Sequence, residues 1–264
     1  MAQKLRTVSH YLESLFSLVG RTAVVTGGSS GIGREMATAL GRAGCSLVLV
    51  ARRLEPLNDT LTHLSQYHVD ASAVAADLAN IDSVDDAVEA ISANIGTPDI
   101  VVNAAGINHR PHMNELSLDD WDKTIAVNLT APFILGQAFG PRMAKRGSGR
   151  IINILSQQSF RAFGNSGAYG ASKGGLLSLT RSQAEAWSPS GVLCNAIAPG
   201  LVQTPLAETV FSDPVKVKTH ADRTLTGRNG MPRDFAGVAV YLASDASATV
   251  TGQTIFVDGG YSAH

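Results

Sequence analysis

The chain has 264 residues, 44% of them hydrophobic, with a formal charge of −1. That is apolar chain enough for a large core, and the near-neutral charge argues against a basic nucleic-acid surface. The apolar runs are too short to cross a bilayer; Cys45 and Cys194 stand isolated in apolar sequence, which fits buried thiols in a reducing cytoplasm and neither a disulfide framework nor a metal site.

In residues 1–19, Leu5, Val8, Leu12 and Leu15 recur at helical spacing. An amphipathic N-terminal extension is expected there, ahead of one domain over residues 20–264. Lys4 and Arg6 precede any acid, but the segment lacks the Arg and Ser richness of a transit peptide. Residues 22–26 read as a short strand and 32–42 as a helix. Residues 46–51 are apolar throughout, as a strand covered on both faces requires. Helical spacing returns over 54–66, followed by a strand at 71–76, a helix at 83–94 and a strand at 99–103. Residues 118–145 form a long helical stretch with Ser117 and Asp120 as a capping box. Pro132 and Pro141 inside it predict a kink and an early end. A strand at 150–155 leads to a helix running to about residue 187, and strands follow at 192–198 and 254–257. Strand and helix alternate without a linker or repeat. Parallel βαβ units are the economical topology, giving a single doubly wound Rossmann-type α/β domain with a parallel sheet of about seven strands.

The first strand runs into Thr26-Gly27-Gly28-Ser29-Ser30-Gly31-Ile32-Gly33 and then a helix. A glycine turn in that place lets backbone approach a pyrophosphate closely, and the helix N-terminus attracts its charge. The spacing is G-x-x-x-G-x-G. Tyr169 and Lys173 lie four residues apart, on one face of a helix. Ser156 sits upstream at the end of an apolar run. A phenol, an ammonium and a hydroxyl served by a dinucleotide site make a carbonyl–alcohol oxidoreductase. A ketone accepting hydride develops negative charge on oxygen and needs a proton donor. Tyr169 is expected to be that acid in reduction and the base in alcohol oxidation. Lys173 is expected to lower the phenol pKa and hold ribose hydroxyls, and Ser156 to orient the substrate oxygen. His109, His112 and His220 are read as loop or surface residues.

These stretches, with Asn103-Ala104-Ala105-Gly106, Asn128 and Pro199-Gly200, resemble the ordered motifs of the short-chain dehydrogenase/reductase family over nearly the whole chain. The family usually carries a second asparagine where this chain has Ala104. The resemblance implies Asn128, Ser156, Tyr169 and Lys173 as catalytic residues, Asn128 holding water in a proton relay behind Lys173. It implies a nicotinamide cofactor held by Gly27, Ser29, Ser30, Gly31, Ile32, Gly33, Asn103, Ala104, Gly106, Tyr169, Lys173, Pro199, Gly200, Val202 and Thr204, with Asp77 and Leu78 beside the adenine. At the end of the second strand Arg52 and Arg53 stand where an acid would select NAD, so NADP is expected, with NAD as the other choice.

Ligands of such sheets sit beyond the strand carboxyl ends. The long segment 199–231 falls there and is expected to form a mobile lid. Within the family the chain looks most like gluconate 5-dehydrogenase-like members. That implies a small carbonyl or alcohol substrate, a sugar acid, polyol or keto compound, contacted by Ser156 and Gln158, with Arg110 or Arg161 for a carboxylate. The alternatives are a 3-oxoacyl thioester reductase, with Leu206, Val210 and Phe211 as apolar lid residues, and a catalytically silent dinucleotide-binding protein. The family's last strand and long helices commonly lie at subunit interfaces, so a homotetramer is expected, with no membrane or nucleic-acid partner.

Overall fold

The computed structural model describes residues 10–263. Its centre is a seven-stranded, wholly parallel sheet of order β3-β2-β1-β4-β5-β6-β7. The strands are β1 (Thr22–Thr26), β2 (Ser46–Ala51), β3 (Ala71–Ala75), β4 (Ile100–Asn103), β5 (Gly149–Ile154), β6 (Val192–Pro199) and β7 (Thr254–Val257). The order reverses between β1 and β4, which opens a crevice at their carboxyl ends.

Helices cover both faces. On one side lie α2 (Gly31–Arg42), α3 (Leu54–Ser65) and α10 (Ala236–Ala243). Their Met36, Leu40, Leu57, Leu64, Ala239 and Leu242 pack on Val25, Leu49, Val102 and Ile197 of the sheet. On the other lie α4 (Ile81–Ile95), α5 (Leu118–Ile125), α6 (Ala131–Arg146) and α7 (Gly167–Trp187), with Ile91, Leu135, Phe139 and Met143 against Val24, Val101 and Ile151. Burial on both faces explains why the central strands are apolar runs and not alternating ones.

Of the predicted N-terminal helix, Leu5 and Val8 lie outside the described residues. Residues 10–16 are helical (α1). Leu18 just beyond is fully buried, its N–H bonded to the Ala43 carbonyl. The helix expected at 83 starts at Ile81, because the Asn80 side chain accepts from the Ser83 N–H. Helix α10 was not anticipated: Ala-Gly-Val-Ala-Val-Tyr-Leu-Ala has no polar face, so it carries no helical periodicity.

The long stretch after Ser117 is two helices. One wide turn, Ala126–Thr130, separates α5 from α6, with the Ala131 N–H reaching back five residues to the Ala126 carbonyl. Pro132 sits in the first turn of α6, where its missing N–H costs least. Pro141 does not end the helix, which runs on to Arg146 and stops at Gly147 in the left-handed conformation. Its neighbours Phe139, Gly140 and Met143 are buried against the core, and that packing outweighs one lost hydrogen bond.

Candidate active site

A cavity of about 570 Å³ opens at the carboxyl ends of β1, β4, β5 and β6. Its floor is the glycine turn. Gly27 and Gly31 have φ of +68° and +54°, where a side chain is strained. A Cβ on Gly27 would meet the Ala105 nitrogen at 2.8 Å, and one on Gly33 would collide with the Gly27 carbonyl oxygen. The Thr26 hydroxyl accepts from the N–H groups of Ala104 and Ala105 at 3.1 and 3.2 Å, holding the β4 loop beside the turn. At residue 104 the alanine methyl packs towards Gly33, so the asparagine missing there is replaced by close packing. The result is bare backbone at the start of α2, a cradle fit for a pyrophosphate.

The catalytic candidates come together on the opposite wall. Helix α7 places Tyr169 and Lys173 one turn apart and both are buried. Lys173 Nζ donates to the Ile154 carbonyl at 2.7 Å, two residues before Ser156. Ser156 follows the end of β5, and its Oγ accepts from the Gln158 N–H at 3.2 Å. The Tyr169 phenol hydrogen-bonds to the Ser156 side chain. Burial raises the phenol pKa above its ordinary value, against the opposing pulls of that hydrogen bond and of Arg110. The Tyr–Lys spacing predicts a lowered phenol pKa; in the protein alone, desolvation of the phenolate outweighs the pulls of Ser156 and Arg110. Burial also pushes Lys173 down to about 8.

Asn128 lies in the wide turn and is fully buried. Its Oδ1 accepts from the Ile107 N–H at 2.9 Å, and its Nδ2 donates to the Ile107 carbonyl and to Ser172 Oγ, each at 3.0 Å. The amide thus locks the β4 loop to α7. Its main-chain carbonyl, four residues before Pro132, has no N–H at the usual i+4 position.

Among the other predicted residues, Ser30, Gly31, Ile32, Gly33, Ala104, Gly106, Arg110, Gln158, Pro199, Gly200, Val202 and Thr204 line the cavity. Thr204 lies over the glycine turn, its methyl 3.1 Å from a Cβ placed on Gly31. Arg52 and Arg53 are exposed at the tip of β2, outside the cavity wall. Asp77 is exposed after β3, its Oδ1 accepting from the Ala79 N–H, while Leu78 is buried beneath it. Ser29 is half-buried behind the wall. Asn103 is turned into the sheet, donating to Asn153 Oδ1 at 2.8 Å. Arg161 is outside the lining, reaching the Ser262 carbonyl and the Tyr261 ring. Arg110 reaches over the mouth to the Gly164 carbonyl at 2.9 Å.

The lid contains α8 (Glu208–Phe211) and α9 (Pro214–Asp222). The β-bridge between Val202 and Gly230 closes its base. His220 of α9 lines the cavity, contrary to its reading as a surface residue, and so do His109, Asn108 and Phe163. The signal for His220 was its position: Val217, His220 and Ala221 follow the i, i+3, i+4 pattern of an inward face, and all three are half-buried.

The family model described as enoyl-(acyl carrier protein) reductase, of the adh_short_C2 type, matches residues 27–262. A gluconate 5-dehydrogenase of Gluconobacter oxydans is 39% identical over 246 residues, covering 93% of this chain and 96% of its own. A D-threitol dehydrogenase of Mycolicibacterium smegmatis is 38% identical over 248 residues, 93% and 94% of the two chains. A gluconate 5-dehydrogenase of Burkholderia cenocepacia, solved with NADP and tartrate, superposes with a TM-score of 0.91 at 35% identity, covering 96% of this chain and 99% of the other.

Proposed function

The chain belongs to the short-chain dehydrogenase/reductase family and is an NAD(P)-dependent oxidoreductase interconverting a ketone and a secondary alcohol; from that premise we propose that it prefers NADP and acts on a small sugar acid or polyol. The observation that carries the substrate reading is the make-up of the cavity. The Tyr169–Ser156 pair opens onto a wall bearing the amides of Asn108 and Gln158 and the guanidinium of Arg110. Those groups suit hydroxyls and a carboxylate. The relatives named for gluconate and threitol point the same way.

In this reading the glycine turn holds the pyrophosphate and Arg52 takes the 2′-phosphate. When bound there, a nicotinamide cofactor would supply the hydride in reduction and take it up in oxidation. Ser156 donates a hydrogen bond to the substrate oxygen. Tyr169 gives it a proton in reduction and removes one in oxidation. Lys173, fixed by the Ile154 carbonyl, holds ribose hydroxyls and favours phenolate when charged. Asn128 anchors the β4 loop, and its main-chain carbonyl is the group able to hold a relay water behind Lys173. The domain is residues 20–264, preceded in the chain by the N-terminal extension of residues 1–19. A homotetramer in the cytoplasm completes the reading, supported by family likeness and by two free, buried cysteines whose pKa burial raises to about 12.

The second reading, a 3-oxoacyl thioester reductase, draws on Leu206 and Val210 in the cavity wall. NADPH absorbance with 5-keto sugar acids, sugars, diketones and acetoacetyl thioesters decides between them, run with both cofactors. Polyhydroxy keto acids with NADPH are expected to be fastest. Turnover confined to the thioesters would establish the second reading instead, and sedimentation as a monomer would remove the tetramer.

A further inference from the structure

We propose that His220 is a specificity-determining residue that binds a hydroxyl on the non-reacting end of a polyhydroxy substrate. This deepens the substrate reading above and rests on it. His220 is the sole residue of α9 in the cavity wall among the described residues. The helix holds it firmly: Asp213 caps α9 by accepting from the Val215 and Lys216 N–H groups, and Asn229 Nδ2 donates to the Val217 carbonyl at 2.9 Å.

The ring itself is clamped. Its centroid lies 5.6 Å from that of Tyr261 and 6.5 Å from that of Phe163, with interplanar angles of 25° and 12°. Tyr261 is in turn buried and covered by the guanidinium of Arg223 at 4.6 Å. The imidazole is therefore fixed in plane and position, yet among the described residues neither nitrogen has a hydrogen-bond partner. Burial, Arg223 and Arg110 hold its pKa below the ordinary histidine value, so near neutral pH it offers one N–H and one bare nitrogen. That is the pattern a hydroxyl matches, since it donates and accepts at once.

Two further groups support a polyol at this end. Asn108 Oδ1 and Gln158 Oε1 are buried without a partner, and both residues line the same cavity. Buried amide oxygens are rarely left unpaired, and substrate hydroxyls would pair them. A purely apolar acyl chain would leave these amide oxygens and the imidazole unsatisfied.

The test uses two substitutions that separate the ring from its nitrogens. His220→Phe keeps the stack with Tyr261 and Phe163 and removes both nitrogens; His220→Gln keeps polar atoms and removes the ring. With NADPH and 5-keto-D-gluconate, His220→Phe is expected to raise the keto-acid KM about tenfold, with kcat and the NADPH KM each within about threefold of the parent, the size of one lost hydrogen bond to a buried group. His220→Gln is expected to recover most of that loss. The reverse ranking, a Phe variant like the parent and an impaired Gln variant, would make His220 a packing residue and overturn the inference. Equal loss in both variants overturns it too. If the parent protein turns over no polyhydroxy ketone, the substrate reading fails and takes this inference with it.

Discussion

The two halves of the crevice are built on different principles. On the nucleotide side the ligand surface is backbone: glycines at positive φ, the N-terminus of α2, and a threonine hydroxyl pinning two amides of the next loop. Its geometry is fixed by what cannot be present, namely side chains. On the proposed substrate side the surface is made of side chains carried by a lid and two loops, with the amide oxygens of Asn108 and Gln158 left unpaired. Backbone architecture reads any dinucleotide alike, whereas on the proposed reading specificity lies in groups that wait for a partner. Tyr169, Ser156 and Lys173 occupy the seam between them.

Substitutions that act on one half and spare the other test this division. The largest effect is expected at the seam. Tyr169→Phe should lower kcat by about a thousandfold, the scale of a lost general acid, while NADPH binding by fluorescence stays near the parent value. Next comes the nucleotide floor. Gly33→Ala drives a methyl into the Gly27 carbonyl; overpacking of about 1–3 kcal/mol should raise the NADPH KM at least about tenfold and leave the relative rates among ketones unchanged. A comparable rise in selectivity between ketones would break the division. On the other half, Arg110→Gln should raise the KM for a keto acid by about tenfold without moving the NADPH KM. Arg52→Ala, at an exposed position, should narrow the NADPH-over-NADH preference by a smaller factor, about threefold to tenfold.

The smallest effect expected is one of pH, at Lys173. Its pKa in the free protein is lowered to about 8, while the Tyr169 phenol is raised. Reduction needs a neutral phenol and a charged lysine, so its kcat/KM should be level below pH 8 and decline above it as the ammonium loses its proton. Oxidation needs phenolate, which the same ammonium favours, so its profile should also lose the lysine's support above pH 8. A reduction profile that stays level through pH 8–9 would show that Lys173 titration does not govern the step.

The same contrast explains what was legible in the sequence. The parallel strands were readable because burial on both faces writes them as unbroken apolar runs, and the glycine turn because close approach leaves no other residue possible. Helix α10 was invisible for the opposite reason: wrapped by α2 and the sheet, it has no polar side to set a period. Pro141 misled because local propensity lost to the packing of Phe139 and Met143. The wide turn at Asn128 could not be foreseen, although Pro132 four residues on was its trace. Asn103 carries the family's motif yet turns into the sheet towards Asn153, a distinction that only the third dimension supplies. In the lid, His220 depends on two aromatic rings 57 and 41 residues away in the chain; no local pattern encodes that clamp.

The anchoring of Lys173 on the Ile154 carbonyl has an engineering consequence. The carbonyl belongs to the strand that delivers Ser156, so lysine and serine share one mounting and shift as a pair. Arg52 and Arg53, which we propose discriminate between the two nicotinamide coenzymes, stand elsewhere, at the tip of another strand. A designer wishing to retool coenzyme choice can therefore rework that tip as a detachable part, leaving the reactive assembly in its original alignment.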